Sequence, residues 1–399
     1  MARVLSVLMQ AVLASLVLWS PLLGMPRDQS RAGVADSLRI RVAVLSVAPG
    51  TLLWERFGHS AIWIREERTG LSRVYNWGVF DFEAPGFIWR FITGDTRYMF
   101  AAEPLDAFVA AHSARGRAIA VQELELSDVE IQAVLDFVAW NGLPENRYYQ
   151  YDYFLDNCST RVRDVVDRVT HGALRRGTLT DLSGESYRSE TRRMLSGSVA
   201  VEYGVQLALG APADRELSEW DDMFLPLRVR QRLSETVRQS ATGGREPLVR
   251  REYVLGGSAS AFAAPALRRF RLVSAALGCV IAGLLILLVS LAGRIGTRSG
   301  AAAVSGVLIT WAVAFGLIGS IIGIVGLATR HAFWQWNASL AVFNPLALLI
   351  AVLVICCVPS RSRHLGQVTR WMDYSAVVVA VLGALSSIAP SGTCQDFCV

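Results

Sequence analysis

The chain has 399 residues, 52% of them hydrophobic, and a net charge of +5 carried by arginine alone, since lysine is absent. That length allows about two domains, and so high an apolar content excludes a wholly soluble chain. Without lysine there is no Walker-type phosphate loop, no Schiff-base lysine and no Ser–Lys dyad, and the dispersed arginines suit anionic lipid headgroups better than nucleic acid.

Residues 4–25 are uncharged after Arg3, so residues 1–25 read as a secretory signal or an uncleaved transmembrane anchor. Residues 26–255 read as one α+β domain. Residues 40–47 alternate as a strand entering Pro49-Gly50. His59 opens a second apolar stretch from Ser60 to Ile64; a polar turn around Glu67–Gly70 and a third strand from Ser72 to Trp77 complete a hairpin. Residues 86–93 and 104–114 predict short helices, and 116–126 a strand. Ser127 with Glu130 forms a capping box for a helix that stops near Asn141-Gly142-Leu143-Pro144. An extended tyrosine-rich piece, Tyr148 to Phe154, is expected in the core, with an aromatic lip against the membrane as the alternative. It leads to Asn157-Cys158, where a helix begins and runs to His171-Gly172.

Residues 256–267 are small and predict a flexible linker. Residues 268–399 then hold four candidate spans, at 272–293, 301–328, 338–358 and 373–390, each able to cross roughly 30 Å of hydrocarbon. Arg294 and Arg298 follow the first of these spans, and Arg361, Arg363, His364 and Arg370 follow the third. Placing those loops in the cytoplasm puts the soluble domain, the 329–337 loop and the C-terminal tail outside. Arg268, Arg269 and Arg271 oppose that orientation, and an intracellular domain is the alternative. His331, Trp334 and Trp336 then fall at the outer interface as anchors. Six cysteines make no framework: Cys279, Cys356 and Cys357 sit in apolar runs, and Cys394 and Cys398 pair if the tail meets an oxidising compartment.

The chemistry centres on Cys158, which precedes every other cysteine in the chain. It lies where extended chain becomes helix, so first-turn N–H groups favour a thiolate and offer donors to a developing oxyanion. Arg161 adds positive charge or binds a lipid phosphate, with Asp164 restraining it, and Asn157 is a further candidate for substrate contact. His59 is the candidate base, with Gly58 and Ser60 as structural support. The hairpin puts Asn76 opposite Ala61 and on the face of His59, which makes it the candidate to orient the imidazole. The bland alternatives are a buried structural thiol and a satisfied histidine. His112 reads as a surface residue and His171 as a helix end; neither has metal-ligand spacing, and no metal or cofactor is expected.

The GHS run at Gly58–Ser60, the stretch Tyr75–Phe82 and the stretch Tyr151–Asp164 (YDYFLDNCSTRVRD) resemble the Lnb-type N-terminal periplasmic domain family. So do Gly210 to Pro226, with Asp214, Arg215, Trp220, Met223, Phe224 and Pro226, and the membrane part with Asn337 and Asn344-Pro345-Leu346. The resemblance implies a permuted papain-like (NlpC-like) α+β extracytoplasmic domain, histidine before cysteine, followed by an α-helical transmembrane bundle in a bacterial inner membrane. It implies a lipoprotein N-acyltransferase with Cys158 as nucleophile and His59 as base. Membrane phospholipid is then the acyl donor and a diacylglyceryl lipoprotein the acceptor. A papain-like hydrolase of cell-wall peptides or lipid esters, and a non-catalytic envelope scaffold, are the alternatives.

Overall fold

The computed structural model describes residues 40–263 except 81–82, 197 and 240–242, short stretches between 278 and 291, and residues 298–357. The expected leader or anchor, the span at 373–390, most of that at 272–293, and Cys394 with Cys398 lie outside the described residues.

Strands β1 (Ile40–Val47), β2 (His59–Glu66) and β3 (Ser72–Val79) come first, followed by helix α1 (Phe87–Thr93), β4 (Arg97–Pro104), α2 (Leu105–Ser113) and β5 (Ile119–Leu124). Next come α3 (Asp128–Asn141), β6 (Tyr148–Gln150), α4 (Cys158–Val169), β7 (Leu182–Ser186), α5 (Tyr187–Leu195), α6 (Val199–Ala208), β8 (Glu216–Ser218) and α7 (Glu219–Asp222). The domain ends with α8 (Pro226–Glu235), β9 (Val237–Gln239), β10 (Arg245–Pro247) and β11 (Val249–Leu255). Sequence patterning foresees β1, β2, β3, α1, α2, β5, α3, β6 and α4, but not β4, whose alternation is interrupted by Ala101-Ala102, nor any of the elements from β7 to β11.

Seven strands form one antiparallel sheet in the order β11-β5-β1-β2-β3-β4-β6. Strand β1 is apolar on both faces because it is covered on both, so its sequence reads as a near-continuous hydrophobic run. Ile40, Val42 and Val44 face α3, α4 and α8, whereas Ala43, Leu45 and Val47 face Phe108 of α2. Helix α4 shows why it packs: Val162, Val165, Val166 and Val169 recur at helical spacing and are all buried in the first of these cores. Burial of each contributes roughly 1.5–3 kcal/mol. Ser127 and Glu130 form the expected capping box of α3.

The expected free linker is partly docked: Phe262 is buried beside Ala48, Ala118 and Ala120, with Arg230 over its ring at 4.4 Å. Residues 298–328 form one long helix, α9 (Arg298–Ala328). Among the described residues its Ser305–Ala328 portion is the one helix long and apolar enough to cross a membrane, with a mean hydropathy of 2.3 and 17% of it buried. So little burial is unlike the core helix of a soluble protein. The expected span at 338–358 is corrected. Asn337 caps a short turn at Ala338–Ala341, and Asn344-Pro345 interrupts the chain before α10 (Ala347–Cys357). Proline lacks the N–H that a continuous helix needs, so 338–357 is not one unbroken helix. Ala312 of α9 packs on Ala347 and Ala351 of α10, small residues that allow close approach.

The loop after α9 folds back on the soluble domain. Phe333 is buried among Phe154, Tyr187 and Phe224, and its carbonyl accepts the N–H of Gly210 at 2.7 Å. Asn337 Nδ2 donates to the carbonyl of Ala208 at 3.1 Å. These contacts place the C-terminal end of α9 on the same side as the domain. His331 and Trp334, expected at the lipid interface, instead stack at 4.3 Å against the domain, and His331 is buried; Trp336 is exposed.

Candidate active site

The site is made where β2 and β3 part. Their pairing runs from Arg65↔Ser72 to Ala61↔Asn76, and β3 is irregular between Asn76 and Val79. Gly78 sits in that irregularity at φ 83°, a backbone state that a Cβ would strain. A Cβ there would lie 3.9 Å from that of Cys158 and 3.5 Å from the ring of Tyr151. The opening admits the start of α4. Ser60 and Ser159 meet inside it through their hydroxyls at 3.1 Å, both fully buried.

The thiol of Cys158 lies under the influence of the His59 ring and of the backbone N–H groups of Ser60 and Ser159. It is half-buried rather than sealed. His59 Nε2 donates to Asn76 Oδ1 at 2.9 Å, while Asn76 Nδ2 donates to Glu103 Oε1 at 2.9 Å. A carboxylate only accepts, so Glu103 orients the amide of Asn76, and Asn76 then selects the tautomer that leaves Nδ1 for the thiol. The expected register, Asn76 opposite Ala61, is the one found. Glu103 was missed because β4 itself was not foreseen.

Burial disfavours charge on both Cys158 and His59. At Cys158 it is overcome by the imidazole charge, by the His59 hydrogen bond and by the two backbone donors, and the thiol is held below its ordinary range. At His59 burial is outweighed by the thiolate and by the bonds to Cys158 and Asn76, so the ring is raised above its usual value. His112, expected at the surface, stands 6.3 Å from the His59 ring. Burial, then the His59 and arginine charges, push it down to about 3, so it stays neutral beside a charged His59.

Other expected roles change. Asn157 points inward as the α4 cap: its Oδ1 accepts the N–H groups of Ser159 at 2.8 Å and Thr160 at 3.0 Å. Its Nδ2 donates to the carbonyls of Tyr153 and Phe224, which occupies the side chain assigned to substrate. The cap takes up the Thr160 N–H and shares that of Ser159 with the thiol, two first-turn donors expected to serve an oxyanion. Arg161 pairs with Asp156 rather than Asp164, and lies 4.1 Å over the Tyr149 ring. Asp164 pairs with Arg163 at 2.8 Å. Gly58 precedes His59 at φ 82°, in the turn that starts β2. Of the tyrosines expected in the core, Tyr149 and Tyr151 stand beside Gly78 and the thiol, while Tyr148 is exposed.

Residues 31–195 match the family described as the Lnb N-terminal periplasmic domain. That stretch is what the chain shares with the Lnb N-terminal periplasmic domain family. No curated protein and no solved structure matches the chain. The matched residues hold Cys158, His59, Asn76 and Glu103. They end with α5, yet Trp220, Met223 and Val229 lie in the core under α4, and β11 completes the sheet. The domain therefore folds as a unit that continues past the matched residues.

Proposed function

We propose that the protein is a membrane-bound thiol acyltransferase with a permuted papain-like catalytic domain in the periplasm of a bacterial inner-membrane protein. The observation that carries this reading is the half-buried thiol held against an imidazole whose far nitrogen is fixed by Asn76 and Glu103. That is the arrangement of an activated nucleophile with its base and orienting groups. Cys158 thiolate attacks the acyl ester carbonyl of a phospholipid, and the C–O bond breaks. The departing lysophospholipid oxygen takes its proton from the His59 imidazolium, leaving a thioester. The α-amine of a diacylglyceryl lipoprotein then attacks the thioester carbonyl. His59 accepts the amine proton, and the C–S bond breaks to restore the thiolate. Substrates confined to one bilayer raise their effective concentration at the site.

Mass spectrometry of a resident lipoprotein tests this reading. A host that relies on this chain yields N-acylated lipoprotein, and Cys158→Ala leaves the amine free. A lipoprotein free of N-acyl groups in the wild type, with lysophospholipid and fatty acid released instead, identifies a hydrolase and overturns the transferase reading.

A further inference from the structure

Helix α1 turns Ile88, Trp89, Phe91 and Ile92 to the outside, the first two at 72% and 70% exposure. Four large apolar side chains on a seven-residue helix form a patch that marks an interaction surface. The one charged residue of the helix, Arg90, is turned back to donate to the Pro85 carbonyl at 2.6 Å. What adjoins the patch identifies its occupant. The chain leaving α9 is bonded to the end of α1: Arg330 N–H donates to the Thr93 carbonyl at 2.9 Å, and His331 Nε2 donates to the Phe91 carbonyl at 3.0 Å. Helix α9 carries its own exposed stripe of Ile321, Ile324 and Leu327 towards that end, Leu327 at 91% exposure. Since α1 is only about 10 Å long, its patch and that stripe lie within the depth of one leaflet boundary. Arg330 and Trp336, both exposed beside them, have the chemistry of headgroup-level anchors.

We propose that α1 is a membrane-interface helix, inserting Ile88, Trp89, Phe91 and Ile92 among the acyl chains of the leaflet that receives the end of α9. It holds the domain against that lipid surface. A row of rings joins it to the site: Phe91 to Phe87 at 6.3 Å, Phe87 to Phe80 at 5.7 Å, Phe80 to Tyr98 at 4.9 Å and Tyr98 to Tyr151 at 4.4 Å. Tyr151 borders Gly78 beside Cys158. Lipid drawn against α1 thus adjoins a continuous row of aromatic side chains that ends at the thiol. That consequence rests on the acyl-transfer reading; the insertion of α1 does not.

The test is photolabelling of the full chain in phosphatidylglycerol–phosphatidylethanolamine nanodiscs whose acyl chains carry a diazirine, with adducts mapped by mass spectrometry. The expected result is label in the 87–93 peptide as well as in α9, and loss of most of the 87–93 label in an Ile88→Asn, Trp89→Gln double variant that keeps its circular dichroism. Cys158→Ala retains the label, so failure of the acyl-transfer reading leaves this result standing. Label in α9 with none in 87–93 overturns the proposal, as does label that disappears with Cys158→Ala, which indicates attachment through the thiol.

Discussion

At the residue scale, the site depends on one ring held from two sides. With His59 in place, the thiol ionises below its ordinary range, because imidazolium and two backbone donors outweigh burial. In His59→Ala the burial remains while the counter-charge is gone, so the thiol shifts upward. Alkylation by iodoacetamide at neutral pH is therefore expected to slow sharply in His59→Ala and to recover only at alkaline pH. An unchanged alkylation profile removes the electrostatic role of the ring. The pH dependence of acylation follows from the same two directions. The rate rises as the lowered thiol deprotonates, then falls as pH passes the raised His59 value and the leaving oxygen loses its proton donor. Loss of the ring also removes general acid–base assistance, on the order of 10²–10⁴ in rate. Single-turnover acylation compared between wild type and His59→Ala measures it.

At the element scale, the start of α4 is where packing and chemistry meet. The Asn157 side chain caps two N–H groups and satisfies two buried carbonyls from separate segments. Removing a cap costs about 0.5–2 kcal/mol, and leaving buried partners unpaired costs about 1–3 kcal/mol more. Asn157→Ala is expected to lower stability by roughly 2–4 kcal/mol in chemical denaturation and to disorder the thiol with it. A variant as stable as wild type contradicts the capping account. Sequence alone placed α4 and its first residue correctly, since Asn157 and the valine periodicity are local signals. It misassigned Asn157 to substrate because the fold brings in the remote Phe224 carbonyl for its amide, and Asp164 to Arg161 because two carboxylates lie within a few residues of that guanidinium and the local geometry chose Asp156.

At the scale of the whole molecule, the loop after α9 ties the apolar helix to the soluble domain. Gly210 is pressed against that loop so closely that a Cβ would lie 1.7 Å from the Gln335 carbonyl oxygen, and Phe333 fills the aromatic cluster of Phe154, Tyr187 and Phe224. Phe333→Ala removes a buried aromatic, a change that costs about 3–5 kcal/mol. Faster hydrogen exchange is expected in residues 205–225 and at Tyr153 and Phe154, with α3 unaffected. Exchange confined to the loop itself contradicts a shared core. The hydrophobic pattern anticipated a long apolar helix at 301–328 but overran at 338–358, since mean hydropathy does not register the break imposed by Asn344-Pro345.

Local chemistry made much of this protein readable in advance. Strand alternation, the capping residues, the hairpin register that sets Asn76 beside His59 and the helix-start position of Cys158 all act over a few neighbouring positions, so they are written in the chain. Contacts between distant segments were not. The parting of β2 from β3 that admits α4, the backing of Asn76 by Glu103, the approach of His112 to His59 and the seating of Phe333 each join segments remote in the chain. Their energies come from burial and from pairing of groups that no short window contains, and only the folded chain brings them together.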